Sequence, residues 1–571
     1  MKKQTRALAF LGCLTGVLVL GVGVILVGAR MVARHLPGNV VLSIDVSGSL
    51  PETGPDPFLA GLQGMREVSR QDLRDGLVRA AGDRRVRAVR LRIGEITAGF
   101  ATLQEIRGLL AEAAAAGKPT AAYLETAGEF SPGNLAYFLA SGCQQVTLHP
   151  MGELNITGLA ARPMFIRGLL DKLGIEPEFM GIGDYKTARE FFTERDLTPA
   201  NREMTGWLVE SLAAQLAAGI AAGRGISPGL AADLIGRGPF LAAEALQVGL
   251  VDDLADWPTF TANTSRVGDR ELEEVSLGRY LRSGRPDRSG ATVAVVLADG
   301  AIVRGQSGYS PVPLFGGDAV GSETLARAWR DVRDSGAHAA VFRVNSPGGS
   351  AIASEVIRLE MARTAEDIPV VVSMGDMAAS GGYWISCGAR RIVASPGTLT
   401  ASIGVFGGHM AARRFFDEKL GITYGRVDSA PNADTFGGLD PWTMEQRASV
   451  QKMMDNIYDV FLTRVALARG MSREQVHTVG EGRVFTGAQA LERDLVDSLG
   501  GFEQALAVAR EEAGLAPGAP VHLEFFPRRP PFLAMLLSGG EEARARKALQ
   551  KVLRGEVVSP GPVWLPPLEV R

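Results

Sequence analysis

The sequence predicts two tandem α/β domains behind an N-terminal transmembrane helix. Three observations predict it. An uncharged stretch runs from Ala7 to Ala29 between basic residues. Two long segments read alike at a separation of about 245 residues, and a repeat that large means duplicated domains rather than a solenoid. Within each copy, aliphatic and β-branched runs alternate with helical stretches, the order of an α/β domain with a largely parallel sheet. The chain has 571 residues, more than one hydrophobic core organises. Hydrophobic residues make up 46% and charged residues 22%, a globular balance. The net charge of −3 is spread along the chain, which argues against a nucleic-acid groove.

The anchor comes first. Lys2, Lys3 and Arg6 precede the apolar run and Arg30 closes it. That length crosses a bilayer as a helix, and the leading charges favour a cytoplasmic N-terminus with the body exported. Val27-Gly28-Ala29 resembles a signal-peptide cleavage site. The run is long for a cleavable signal, so an uncleaved anchor over residues 1–35 is the expectation.

The repeats follow, expected over 36–260 and 291–515. Phe138-Leu139-Ala140-Ser141-Gly142 aligns with Trp384-Ile385-Ser386-Cys387-Gly388, and Asp171-Lys172-Leu173-Gly174-Ile175 with Glu418-Lys419-Leu420-Gly421-Ile422. Phe240 and Val251-Asp252 match Phe485 and Val496-Asp497. In the first copy strands are predicted at Val40–Val46, Val86–Ile93 and Pro119–Leu124, with a helix at Thr102–Ala115. In the second, strands are predicted at Val293–Leu297, Ala339–Val344 and Pro369–Ser373, with a helix at Ala351–Ala365. Ala200–Ala222 and Thr443–Arg469 read as longer amphipathic helices. The polar, Arg-rich stretch 261–290 reads as a linker. Residues 516–571 read as a tail carrying the apolar Pro530–Leu537 and a charged helix at Glu541–Arg554.

Cys13, Cys143 and Cys387 show no metal-ligand spacing, and no cofactor is expected. Cys143 and Cys387 lie in apolar runs and read as small packed hydrophobes, with a disulfide as the lesser alternative.

Chemistry concentrates in two Gly-rich turns of the second copy. Asn345-Ser346-Pro347-Gly348-Gly349-Ser350 follows one strand, and Asp376-Met377-Ala378-Ala379-Ser380-Gly381-Gly382-Tyr383 follows the next. A serine at a strand-to-helix turn, flanked by small residues, exposes Oγ and sets a helix N-terminus behind developing negative charge. The N–H of Gly381 with that of Gly348 or Gly349 makes a candidate oxyanion hole. Plain helix capping is the competing reading of Ser380.

A serine nucleophile needs a base. None of the six histidines sits in a convincing motif, although His409 lies near the turns. Comparing the copies yields a better candidate. Asn134 stands where the second copy has Ser380, and Gly94-Glu95-Ile96-Thr97 replaces the Asn-Ser-Pro-Gly-Gly turn. In exchange the first copy carries Gly183-Asp184-Tyr185-Lys186-Thr187-Ala188, where Ala433 stands opposite Lys186. If the two copies face each other, Lys186 reaches Ser380. A lysine acts as a base only when an apolar pocket lowers its pKa; otherwise Lys186 is a surface loop residue. Ser402, in Thr400-Ala401-Ser402-Ile403-Gly404, can hold the amine or simply bond to backbone.

These motifs resemble the signal peptide peptidase A (protease IV) family in its long, duplicated form. The resemblance rests on Arg343–Ser350, Met374–Ser386, Thr400–Gly404, Tyr185–Ala188 and Asp196–Ala200, and extends from the anchor to about Gly514. It implies a crotonase-like, Clp-protease-like fold. Ser380 matches the family's nucleophile, Lys186 its general base and Ser402 the serine that orients the lysine. It also implies apolar signal-peptide remnants as substrates. The expected setting is a bacterial inner membrane, with the body on the extracytoplasmic side and tetrameric assembly. The first copy departs further from the family than the second. A crotonase-type acyl-CoA enzyme would need catalytic carboxylates and have no use for Ser380. A non-catalytic membrane scaffold would have lost one member of the pair, and both are present.

Overall fold

The computed structural model describes residues 36–54, 68–284, 289–310 and 317–528. The expected anchor and the tail's apolar stretch and charged helix lie outside the described residues. Among the described residues, no helix is long and apolar enough to cross a membrane.

The fold is mixed α/β and forms two compact units. The first takes the described parts of Met1–Ala98, Ile106–Thr157 and Gly219–Asp287. The second takes Gly99–Glu105, Gly158–Ala218 and the described parts of Arg288–Arg571. Residues 158–218, which include Lys186, thus fall in the unit that contains Ser380.

In the first unit β1 (Val40–Gly48) leads to α1 (Arg70–Gly82), which Ser69 and Asp72 close with a capping box. Next come β2 (Val86–Ile96), β3 (Thr120–Leu124), the buried helix α2 (Asn134–Ala140) and β4 (Gln145–Leu148). The chain then contributes β5 (Glu176–Ile182) to the second unit and returns through the helix Pro199–Arg224. Strands β6 (Asp253–Leu254) and β7 (Glu273–Ser276) and helix α3 (Leu277–Ser283) complete the unit. Its six-stranded sheet has the order β7-β1-β2-β3-β4-β6, with every pairing parallel. The near-continuous burial of β1 and β3 is what a covered parallel sheet demands.

The expected linker at 261–290 is largely structured. Strand β7 pairs with β1, and α3 packs on α1, with Arg79 over the fully buried Tyr280 ring at 4.2 Å. Leu272, Val275, Leu277 and Tyr280 are the apolar anchors concealed among the charges of that segment.

The second unit opens with β8 (Ala291–Asp299), β9 (Ala339–Ser346) and α4 (Ala351–Ala365). Strand β10 (Val370–Ala379) runs into the short helix α5 (Gly381–Ser386), then β11 (Arg391–Ala394), β12 (Leu399–Ala401) and β13 (Val405–Ala411). Helix α6 (Met444–Arg469), capped by Thr443, precedes β14 (Val484–Thr486), β15 (Ser498–Leu499) and β16 (Val521–Phe526). The main sheet has the order β14-β12-β10-β9-β8-β16, with β11 beside β10 and β15 beside β11. All these pairings are parallel except β12 with β14.

Two expectations change here. Strand β10 continues past Ser373 through the Gly-Asp segment, because β11 pairs its first half and β12 its second. The part of the tail expected from 516 that is described ends in the edge strand of the main sheet, since β16 pairs with β8 along Val521–Phe526 and buries Phe526.

The duplication shows in matched contacts. The N–H groups of Val146 and Ile392 donate to Asp252 and Asp497, each at 2.7 Å. Arg224 and Arg469 grip those same carboxylates with two guanidinium nitrogens each.

Phe526 is fully buried at the end of β16. Phe526→Ala is expected to destabilise the second unit by about 3–5 kcal/mol, the usual cost of emptying a buried phenyl site. A urea titration followed by tryptophan fluorescence measures it, and a midpoint equal to the parent's would return this segment to an exposed tail.

Candidate active site

Strand β10 stops at Ala379 and α5 begins at Gly381, so Ser380 occupies the turn between them. Its backbone is held at φ 54° and ψ −116°, a conformation side chains rarely adopt. Such a position costs on the order of 1–3 kcal/mol and persists only where its surroundings enforce it. Enforcement comes from both sides. The Ser380 N–H donates to Ala401 O at 2.8 Å. Helix α5 is buried at every residue, with Trp384 stacked on Phe461 at 4.4 Å between ring centres. Gly381 lets α5 approach closely, since a methyl there would fall 2.6 Å from Ser354 Oγ.

The two Gly-rich turns meet beside Ser380. A methyl at Gly348 would lie 2.6 Å from the Gly381 nitrogen, and one at Gly381 would lie 3.1 Å from the Gly349 nitrogen. The Gly348 N–H is already engaged, donating to Ser346 Oγ at 3.1 Å. Gly349 bridges Ile302 through bonds made by its neighbours, from Ile302 N–H to Gly348 O and from Ser350 N–H to Ile302 O. Its own N–H is not used in that bridge. Gly381 is the first residue of α5, whose N–H has no acceptor within the helix. Gly349 and Gly381 therefore offer the adjacent N–H pair.

Lys186 arrives on a different element. Strand β5 pairs antiparallel with β13, from Glu176 opposite Ala411 to Ile182 opposite Val405. One end of this ribbon leads forward to Lys186 and backward to Ser402. The Lys186 side chain is buried, and its Nζ lies 3.1 Å from Ser380 Oγ, 2.9 Å from Ser402 Oγ and 3.0 Å from Ser402 O. Burial alone lowers its pKa from 10.5 to about 7.

The donor arithmetic is informative. The Ser402 carbonyl can only accept, so it takes one amine hydrogen. Ser402 Oγ donates to Gly482 O at 3.4 Å and so accepts a second. A neutral amine then has its lone pair left for the Ser380 hydroxyl proton.

Around this contact lies a cleft lined by the apolar side chains of Trp384, Val405, Phe406, Ile457 and Phe461 and by Pro347, Gly348 and Gly349. His409 does not line it. That ring packs on Trp442 at 4.7 Å, and burial lowers its pKa. Asn134, standing at the serine's position in the first copy, is the buried first residue of α2. Cys143 and Cys387 are both free, buried thiols, so the disulfide alternative falls.

The sequence reading missed the segment 480–483, which touches both Lys186 and Ser402. The Tyr185 N–H donates to Glu481 O at 3.0 Å, and the Ser402 N–H donates to Arg483 O at 2.9 Å. The only signal in the sequence was its Gly-Glu-Gly spelling, and that reads as an ordinary turn.

Comparison with known proteins adds the following. The family model described as "Peptidase family S49" matches residues 112–266 and 362–516. Protease 4 of Salmonella typhi is 35% identical over 548 residues, covering 91% of this chain and 85% of that protein. The chloroplastic serine protease SPPA of Arabidopsis thaliana is 29% identical over 87% of this chain and 73% of its own length. A putative signal peptide peptidase SppA of Enterococcus faecium is 35% identical over 32% of this chain and 53% of that one.

The buried amine also leaves a signature in stability. The folded chain releases the Lys186 proton near pH 7, whereas the unfolded chain holds it until about 10.5. Unfolding takes up a proton between those values, so stability rises with pH through that window. The parent is expected to gain roughly 4 kcal/mol relative to Lys186→Met between pH 7 and 10.5. Unfolding midpoints of both proteins across that range check it, and parallel curves would mean the amine is not buried neutral.

Proposed function

The chain belongs to peptidase family S49 and is a serine protease, and from that premise we propose that Ser380 is its nucleophile and Lys186 its general base. The observation that carries the proposal is the 3.1 Å contact between a fully buried amine and a hydroxyl on a strained turn.

The chemistry follows from the hydrogen-bond arithmetic. Neutral Lys186 accepts the Ser380 proton as Oγ bonds to the peptide carbonyl carbon. The carbonyl electron pair moves onto oxygen, and the N–H groups of Gly381 and Gly349 face that oxyanion. Gly348 contributes by shaping the turn, since its own N–H is committed to Ser346. As the intermediate collapses the C–N bond breaks, and the leaving amine takes the proton from Lys186. A water then gives its proton to Lys186 as it attacks the acyl-serine ester; when that intermediate collapses the acyl C–Oγ bond breaks, Ser380 Oγ takes the proton back from Lys186, and the acid is released. Ser402 keeps the amine aimed throughout. The cycle needs no metal or cofactor.

Apolar cleft walls suit hydrophobic peptides. A relative bearing the name signal peptide peptidase points the same way, so we take signal-peptide remnants as the substrate class. The same reading includes repeats of crotonase and Clp-protease type. It places residues 1–35 as a single-pass anchor in a bacterial inner membrane. The catalytic body then lies on the extracytoplasmic side, assembled as a tetramer.

Ser380→Ala and Lys186→Ala are each expected to lower kcat on a quenched apolar peptide by at least about 1,000-fold while the unfolding transition persists. Ser402→Ala should fall between these and the parent. The parent's kcat/KM should decline as pH drops below about 7, where the amine gains its proton. Parent-like turnover by Lys186→Ala would remove the lysine from the base role.

A further inference from the structure

We infer that the loop Gly480–Arg483 is a positioning device for Lys186, acting through Gly482 and through the hydroxyl of Tyr458. The inference rests on Lys186 being the general base.

The loop ties together the two segments that meet at Nζ. It accepts the Tyr185 N–H at Glu481 O and the Ser402 N–H at Arg483 O, and its Gly482 N–H donates to Ile403 O at 2.8 Å. The Gly482 carbonyl accepts from Ser402 Oγ, the bond that leaves Ser402 as an acceptor toward the amine. Gly482 sits at φ +82°, and a Cβ there would fall 2.5 Å from Cα, Cβ and N of Lys186. Those are backbone and near-backbone atoms with little freedom to yield. A side chain at 482 therefore has to push Lys186 out of line or open the loop to water.

The loop is itself fastened. Glu481 adopts φ 52°, strained for a residue with a side chain. Its N–H donates to Tyr458 Oη at 3.3 Å, and that hydroxyl meets His477 Nδ1 at 2.8 Å. Tyr458 is buried on α6, beside Ile457, which lines the cleft. The charged groups nearby are spoken for elsewhere. Glu481 faces His477 at 3.5 Å, while Arg483 lies over the Tyr185 ring at 3.6 Å and bonds Glu203 at 2.8 Å. Burial is what lowers the Lys186 pKa, so exclusion of water is what the loop has to maintain.

The test compares full-length variants on a quenched apolar peptide across pH. Gly482→Ala is expected to lower kcat/KM at neutral pH by about 100-fold, the usual scale for a displacement near 1 Å. Its acid limb should move to higher pH as water returns to the amine, so that activity partly recovers in alkali. Gly470→Ala is the control, since Gly470 is also left-handed at φ +64° with open space around it, and it should keep the parent's rate and limb. Tyr458→Phe should show a several-fold loss with the same direction of shift. A parental rate and limb in Gly482→Ala overturns the inference, as does a loss matched by Gly470→Ala with the limb unmoved. If Gly482→Ala shows no unfolding transition, Tyr458→Phe decides alone, and an unchanged profile there overturns it. Lys186→Ala run alongside separates the two claims. Parental activity in that variant defeats the base assignment, whereas its inactivity beside a parental Gly482→Ala defeats only the loop.

Discussion

A dry amine, its pKa lowered by burial to about 7, is the constraint the site is built around. Removing an ammonium from water is costly, and proteins usually avoid it by releasing the proton. Lys186 is in that condition, with two serine hydroxyls and one carbonyl as its partners. A carboxylate in place of either serine would restore the charge and consume the lone pair. The hydroxyls satisfy the nitrogen without fixing its protonation state. In the proposed mechanism, that neutrality permits the amine to accept a proton and hand it back within one turnover.

Keeping the amine in place imposes strain on its neighbours. Ser380, Ala401, Ser402 and Glu481 all have positive φ without being glycine. They come from three separate stretches of chain, and all lie within one hydrogen bond or one residue of the Lys186–Ser402 contact or its loop. Strain concentrated like this persists only where rigid elements on every side forbid relaxation. Strand β10, paired on both flanks, supplies one wall, and the buried helix α5 supplies another. The β5–β13 ribbon supplies the third.

Much of this was legible from residue types. A serine among small residues after an apolar run announces itself, and Lys186 emerged because the copies differ at matched positions. What escaped was set by partners distant in sequence. Gly375 and Asp376 spell a turn, yet they lie inside β10, between the residues that pair with β11 and those that pair with β12. The charges of 261–290 hid four apolar anchors that fix β7 and α3 in the first unit. Gly482 looks like any turn glycine until Lys186 is packed against it. The sequence split the pair between two facing domains. Strand β5 instead zips onto β13 and brings residues of the first repeat into the second unit.

That placement explains how a duplicated chain could divide its chemistry. Both copies keep the scaffolding contacts, the Asp252 and Asp497 clasps with their arginines. Those contacts hold sheet to helix in each repeat. The positions proposed for catalysis are under no such duplicate demand. Once one strand of the first copy is zipped onto the second, a single lysine and a single serine complete the site we propose. A second serine at Asn134 would then face no base, and a second lysine at Ala433 no serine. Packing must be satisfied in each repeat separately, whereas the reaction needs its parts only once, in one unit. Scaffold residues are therefore held in pairs, while Ser380 and Lys186 are not.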